Sequence, residues 1–560
     1  MGIPAGSDGI GQYSRKDRAA SSRSGSGRWK AWLLLGCLPL MGAAPLSSSY
    51  DVEGKGISAV SHDLASGRIT AATLVQAYLA RIAAFDRAGP ALHAIVALNP
   101  DAATEAEASD RRRRSGALIR PLEGVPILVK DNIETLDAIP TTAGSLALSE
   151  NITHRDAPLV ARLRAAGAII LGKTNLSEWA NFRSSASISG WSGVGGLTRN
   201  PYALDRSPCG SSSGSAVAVA ASLAPAAIGS ETDGSITCPA SMSGLVGLKP
   251  TVGLVSRTHI VPISQTQDTA GPITHNVQDA ALLLAVIAGT DPADPATAQA
   301  DQHHPGMAPL SDTQALRGRR IGVLRFLAGH HEATDRVFGQ ALDTLRKAGA
   351  TLVEIKDGPD QDVIAADEMT VLLTEFKAGL NTYLATTPDT VRTRSLAALI
   401  AFNQSHAERE MGLFGQDLLD KAQATGGLDD PGYLAARNRA RKAAGSEGLD
   451  RLLSRNQLDA MVAPTGGPAW VVDLVNGDHA SASAGTMPAV AGYPHLTVPM
   501  GSVDGLPVGL SFIGPAWSER RLLELGSAFA ALAQVRMQPH YLATLLPSSR
   551  QEGLLRPADH

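Results

Sequence analysis

The sequence predicts an α/β protein, and three observations carry that prediction. Leu159, Val160 and Leu163 stripe one helical face that ends at Gly167, and AIILGK (168–173) follows at once as a short apolar run. The same helix, glycine, strand order recurs at 337–349, followed by TLVEI (351–355). VPILVK (125–130) and RRIGVL (319–324) add two more strand-like runs. Apolar spacing that switches repeatedly between helical and extended periods marks strands alternating with helices in layers.

Along the chain, Val60 and Leu64 mark an amphipathic turn closed by Gly67. Thr70 can cap a helix carrying Leu74, Tyr78, Ile82 and Phe85 on one face. VPILVK contains a proline, which fits a buried strand with an irregular start. SAVAVAASLA (215–224) reads as a small-residue helix packed tightly against a sheet, and AAIGSETD (226–233) as a strand. Pro239 can start the next helix. The stretch 291–312, rich in Pro, Ala and His, reads as a surface loop, and 373–448 as mainly helical. Residues 489–501 and 505–514 read as two closing strands with a turn between them.

Composition narrows the function. The 560 residues are 44% hydrophobic and 18% charged, ordinary for a globular protein with a large core. A formal charge of −4 gives no basic field for nucleic acid, and 4% aromatics gives few stacking platforms. The partner expected is a small molecule. Cys37, Cys209 and Cys238 make no disulfide framework and no CxxC pair, so Cys209 and Cys238 are expected as buried free thiols, with a bridge between them as the alternative if the protein is exported. No HExxH or Cys/His ligand spacing occurs, and the pairs His303-His304 and His330-His331 read as surface loops, so no metal is expected. The first thirty residues hold six Lys/Arg against two Asp and lead into AWLLLGCLPLMGAAPL (31–46). That run has signal-peptide length and is too short to span a bilayer, so export to the periplasm or medium is expected, with lipidation at Cys37 as an option.

Two serine-glycine runs carry the chemistry: CGSSSGSAVAVAA from Cys209 and GSETDGSITCPA from Gly229. Such runs are usually flexible loops, but both of these lead directly into regular structure. A glycine-serine turn between a strand and a helix aims backbone N–H groups outward, the geometry an oxyanion needs. Gly210–Gly214 also matches the G-x-S-x-G nucleophile elbow, which would make Ser212 the nucleophile. The elbow must follow a strand, and RNPYALDRSPC with its two prolines precedes this one. With GVPILVKDNI upstream, the segments point instead to a serine hydrolase whose base is a lysine.

These segments, with GKTNLSEWANFR and GLKPTVGLVSR, resemble the amidase signature family, and within it the bacterial peptide amidases that remove C-terminal amides from peptides. The resemblance runs from about residue 52 to 545. It implies a single large domain over 51–548 with a central mixed sheet covered by helices on both faces, after a leader at 1–50 and before a tail at 549–560. It implies that Ser235 is the nucleophile, that Ser211 is a bridging serine on a cis peptide, and that Lys130 is the base. Backbone N–H groups of Thr232, Asp233, Gly234 and Ser235 would form the oxyanion hole, with no cofactor. Two departures stand out, Asp233 and Cys209, where relatives often have glycine. Within the same resemblance, other small aryl or alkyl amides compete as substrates. So does the role of an amidotransferase component for mischarged tRNA, which an export leader argues against.

The physics of such a triad is simple. Serine needs a proton acceptor within hydrogen-bond reach, and lysine accepts only when neutral. Burial lowers the lysine value, and Val125–Val129 is an apolar run that would desolvate Lys130. Asp131 would oppose this, but successive strand side chains point to opposite faces, which turns it away. Asp268 and Lys249 read as structural, Asp268 through backbone bonds near the active loop. Trp179, Asn181, Phe182, Arg183 and Trp191 fit either a substrate cleft or core, and Arg111–Arg114 a solvated charge run.

Overall fold

The computed structural model describes residues 50–545 apart from Ser311, Ser481 and Ala482. The expected leader, Cys37 and the tail from 549 lie outside the described residues. One sheet of eleven strands organises the fold. Across it the strands run Ile95–Leu98, Ile169–Thr174, Pro126–Lys130, Ala226–Glu231, Thr269–Thr274, Val246–Lys249, His495–Val503, Leu506–Ile513, Ala460–Pro464, Arg320–Leu324 and Thr351–Ile355. Pro126–Lys130 pairs in parallel with both its neighbours, as does Arg320–Leu324, while the middle of the sheet is antiparallel. The sheet is therefore mixed. Every residue of Pro126–Lys130, Ile169–Thr174, Ala226–Glu231 and Thr269–Thr274 is buried, so helices cover both faces there. Fully buried side chains such as Leu128, Ile170 and Ile228 each contribute roughly 1.5–3 kcal/mol by leaving water.

The elements follow the sequence signals closely. Thr70 caps the helix Ala71–Phe85 by accepting from the Thr73 N–H, and Leu74, Tyr78 and Ile82 face the core. The small-residue helix is Ser213–Ala220, buried at every position, shorter and earlier than expected. The helix after Ser235 is Thr237–Met242, so Pro239 lies inside its first turn rather than at its start. The loop at 291–312 contains a 3₁₀ segment, Pro295–His303. The helical region includes Gln361–Ala385, which packs with Pro431–Ala444. No described helix is long and apolar enough to cross a membrane.

Candidate active site

Lys130 ends the strand Pro126–Lys130, and its side chain is completely buried. Its Nζ lies 2.7 Å from Ser211 Oγ, 2.9 Å from Ser230 Oγ and 3.1 Å from the Ser230 carbonyl. Burial pushes this amine down to about 7, against smaller opposing pulls from Asp268 and Glu231. Asp131, next along the chain, turns the other way. Its carboxylate accepts from the Thr142 hydroxyl and N–H and lies 3.8 Å from Lys173.

The first serine run is held tightly. The Gly210-Ser211 peptide bond is cis. A Cβ on Gly210 would meet Ser177 Oγ at 2.2 Å, so only glycine lets the chain pass this close. Cys209 has φ +56, a left-handed conformation that favours glycine, which gives a physical reason for glycine at this position in relatives. Ser212, the elbow candidate, follows no strand. Its hydroxyl donates to the Ser230 carbonyl and accepts the Ser230 N–H, a purely structural pairing.

The second run continues from the strand Ala226–Glu231. Ser235 is 7% exposed, and its carbonyl accepts the Ser212 N–H at 3.1 Å, tying the two serine runs together. Among the described residues no hydrogen bond joins the Ser211 and Ser235 hydroxyls. The Glu231 carboxylate accepts the N–H groups of Ile236 (2.6 Å) and Thr237 (2.9 Å), capping the helix that follows Ser235. Gly234 has φ +75, with open space where a Cβ would stand. Among the described residues, none of the N–H groups of Thr232, Asp233, Gly234 and Ser235 donates to a protein acceptor. Four consecutive backbone N–H groups without a protein acceptor leave donors that an anion could take up. The Asp233 side chain turns aside to accept from Thr486 Oγ1 at 2.7 Å, and burial raises it to about 6. It occupies the glycine position of relatives without spending a backbone donor.

Ser211, Ser230, Glu231 and Thr232 line one end of a cleft of about 410 Å³. Its apolar wall comes from Ile260 to Ile263, opposite Ala378, Gly379 and Tyr383 of the helix Gln361–Ala385. Asp268 holds this wall to the serine loop. One carboxylate oxygen accepts from Thr232 Oγ1 at 2.6 Å, and the other from the N–H groups of Ile263 and Ser264. The structural role expected of Asp268 is thus met. Lys249 is buried, donates to the Pro250 carbonyl and is pushed down to about 8 by burial.

Sequence reasoning missed several contributors. Ser230 and Asn132 complete the lysine's surroundings, with Asn132 Nδ2 donating to Ser230 Oγ at 2.9 Å. Ser230 lies inside the GSETDGS segment, so its place five residues before Ser235 was the available signal. Glu375 accepts from Ser264, Thr266 and Tyr433, clamping the cleft wall from the helical side. No local pattern marks it.

One expectation needs correction, and one open alternative is resolved. Cys209 and Cys238 are not free thiols; they form a disulfide with Cα atoms 6.0 Å apart. The fold brings together two segments whose separation of 29 residues says nothing of their proximity. The aromatic and basic residues near 179–191 belong to packing rather than to the cleft lining. Trp179 and Phe182 are buried in an apolar cluster, and Asn181 donates to Ser189. Arg183 is buried beside Glu178 and Glu410 and stacks over Trp191 and Phe414. Ala180 alone of this stretch reaches the cleft lining.

The chain matches the family model described as Amidase over residues 73–523. The X-ray structure of native peptide amidase from Stenotrophomonas maltophilia is 54% identical, with a TM-score of 0.82, covering 87% of this chain and 98% of that one. A probable amidase of Arabidopsis thaliana is 39% identical over 513 residues, 89% of this chain and 94% of the relative. A glutamyl-tRNA(Gln) amidotransferase subunit of Chloroflexus aurantiacus is 36% identical over 498 residues, 86% of this chain and 97% of the relative. A buried lysine bonded to a serine, in a fold shared with the peptide amidase structure, agrees with that match, and the chain belongs to the amidase family of amide-hydrolysing enzymes.

Proposed function

We propose that this amidase hydrolyses the C-terminal carboxamide of peptides, releasing ammonia through Ser235, Ser211 and Lys130. The observation that carries the reading is the fully buried Lys130 amine 2.7 Å from Ser211 Oγ at the end of the cleft. A neutral amine has two hydrogens and one lone pair. Two of the three oxygens around Nζ, both from Ser230, can take the hydrogens, which leaves the lone pair for Ser211. Lys130 then takes the Ser211 proton as Ser211 takes that of Ser235, and the Ser235 alkoxide attacks the carboxamide carbon. The relay requires a Ser211–Ser235 bond that forms as substrate docks, and catalytic bonds commonly tighten in the complex. The oxyanion falls to the N–H groups of Thr232, Asp233, Gly234 and Ser235. The proton returns through the same relay to the departing nitrogen, giving ammonia and an acyl-enzyme. Water repeats the sequence in reverse order and frees the acid and Ser235.

The preference for peptide amides draws support from the 54% identity to a peptide amidase. The 36% identity to an amidotransferase component favours a second reading, in which the ammonia serves a partner. Ammonia release by the isolated chain from a panel of peptide amides, amino-acid amides and aryl amides tests both. Turnover of peptide amides without tRNA or a partner supports the hydrolase, and silence on all three classes overturns it. Export remains part of this proposal. The Cys209–Cys238 disulfide fits an oxidising compartment. N-terminal sequencing of native-host material that still begins at Met1 would overturn export.

A further inference from the structure

Beside the active-site cleft lies a second concavity of about 620 Å³. One wall is the face of Pro431–Ala444 that presents Arg437, Asn438 and Arg441. Opposite stand Gln265, Gln267, Tyr493 and Trp517. No Asp or Glu is among its lining residues, although the chain as a whole carries a net charge of −4. Among the described residues Arg437 donates to the Tyr433 hydroxyl at 3.3 Å, lies over that residue's ring and has no carboxylate partner. Among the described residues the Arg441 guanidinium has no hydrogen-bond or ion-pair partner. Its neighbours on the same helix are spent elsewhere, Arg439 on Asp367 and Lys442 on Glu447. Two guanidinium groups one helical turn apart, in a hollow whose lining holds no carboxylate, have the chemistry that grips a carboxylate.

The two hollows share a wall. Gln265 lines both, and Gln267 lines the second while its amide contacts Glu368 and the Thr232 carbonyl of the serine loop. We infer that the second concavity is a carboxylate-binding subsite, with Arg437 and Arg441 as its anion ligands. The carboxylate comes either from an acidic residue of the substrate chain, upstream of the amide, or from a free small dicarboxylate. The first source rests on the peptide-amide reading; the subsite itself does not.

Trp517 in the wall supplies a local reporter. Glutarate and a short acidic peptide lacking the amide are titrated while tryptophan emission is followed in the wild type, in Trp517→Phe and in Arg437→Ala/Arg441→Ala. The expected result is a saturable change that disappears in Trp517→Phe and an apparent Kd at least tenfold weaker in the double variant. No saturable change, or the same Kd in the double variant, overturns the subsite. Ammonia release then separates the sources. KM at least tenfold lower for an acidic than for a neutral peptide amide, lost in the double variant, assigns the carboxylate to the substrate. Saturable glutarate binding with equal KM values for the two amides assigns it to a free ligand. Neutral peptide amides keep their kcat in the double variant under either assignment. Failure of the emission test leaves peptide-amide turnover intact, so the two readings fail separately.

Discussion

Lys130 and Asp131 are adjacent in sequence and face opposite sides of the strand end. Lys130 reaches Ser211 and Ser230, whereas Asp131 bonds Thr142 and lies 3.8 Å from the buried Lys173. A carboxylate left beside the Lys130 amine would hold it protonated and useless as a base. Strand alternation removes that carboxylate, and burial then favours the neutral form.

The pH profile follows from this arrangement. The amine is pushed down to about 7, so kcat/KM should be near its plateau above pH 8 and fall tenfold per unit well below 7. The measurement is initial ammonia release from one peptide amide between pH 5 and 9. An acid limb that stays flat to pH 5 would assign the base to another group.

The same lysine should cost stability. Its folded value is depressed from 10.5 to about 7, so between those values the unfolded chain binds more protons. The penalty is full below pH 7, fades as pH rises, and is gone above 10.5. At about 1.4 kcal/mol per unit it reaches roughly 4–5 kcal/mol, from which the orphaned Ser211 and Ser230 groups in a Lys130→Met variant subtract about 1–3 kcal/mol. Lys130→Met should therefore lose several orders of magnitude in turnover yet unfold at higher urea than wild type at pH 6.5. The gap should narrow at pH 9.5. A less stable variant at pH 6.5 would contradict the desolvation argument.

The parts of this site legible in sequence were those set by local spacing. A strand ending at Lys130, a glycine-serine turn before a helix, and the turn of Asp131 to the opposite face from Lys130 all follow from periodicity and backbone geometry. What stayed hidden depends on distant partners. Arg183 reads equally as cleft or core until Glu410, 227 residues on, is seen beside it. Glu375 clamps Ser264 across 111 residues, and no local pattern signals that. The thiol expectation failed for the same reason, since cysteine spacing carries no register information.

The disulfide joins both serine-glycine segments. Cys209 precedes the Gly210-Ser211 peptide, and Cys238 lies three residues past Ser235. A bridge closing 29 residues is worth roughly 3–4 kcal/mol in the chain-entropy account. Cys209→Ala/Cys238→Ala should lose about that much in denaturant unfolding and lose turnover as the two runs loosen. Thiol titration of the unreduced, denatured chain should find neither cysteine reactive. Two reactive thiols beyond Cys37 would refute the bond.

Gly234 tests the proposed oxyanion hole without removing a side chain. Its φ of +75 puts any other residue under strain of about 1–2 kcal/mol, yet a Cβ there meets open space. Gly234→Ala should therefore fold, with Tm lowered by a few degrees, while its backbone relaxes and turns the N–H groups of Asp233 and Gly234 off their common focus. In the proposed mechanism those donors act on charge that develops only during attack, so kcat should fall about 10²-fold with KM little changed. Asp233→Gly forms the control, since it restores the residue common in relatives and leaves every donor in place. It should release Thr486 and keep kcat within about threefold of wild type. If Gly234→Ala instead raised KM alone, the four N–H groups would be holding the ground-state substrate rather than its oxyanion.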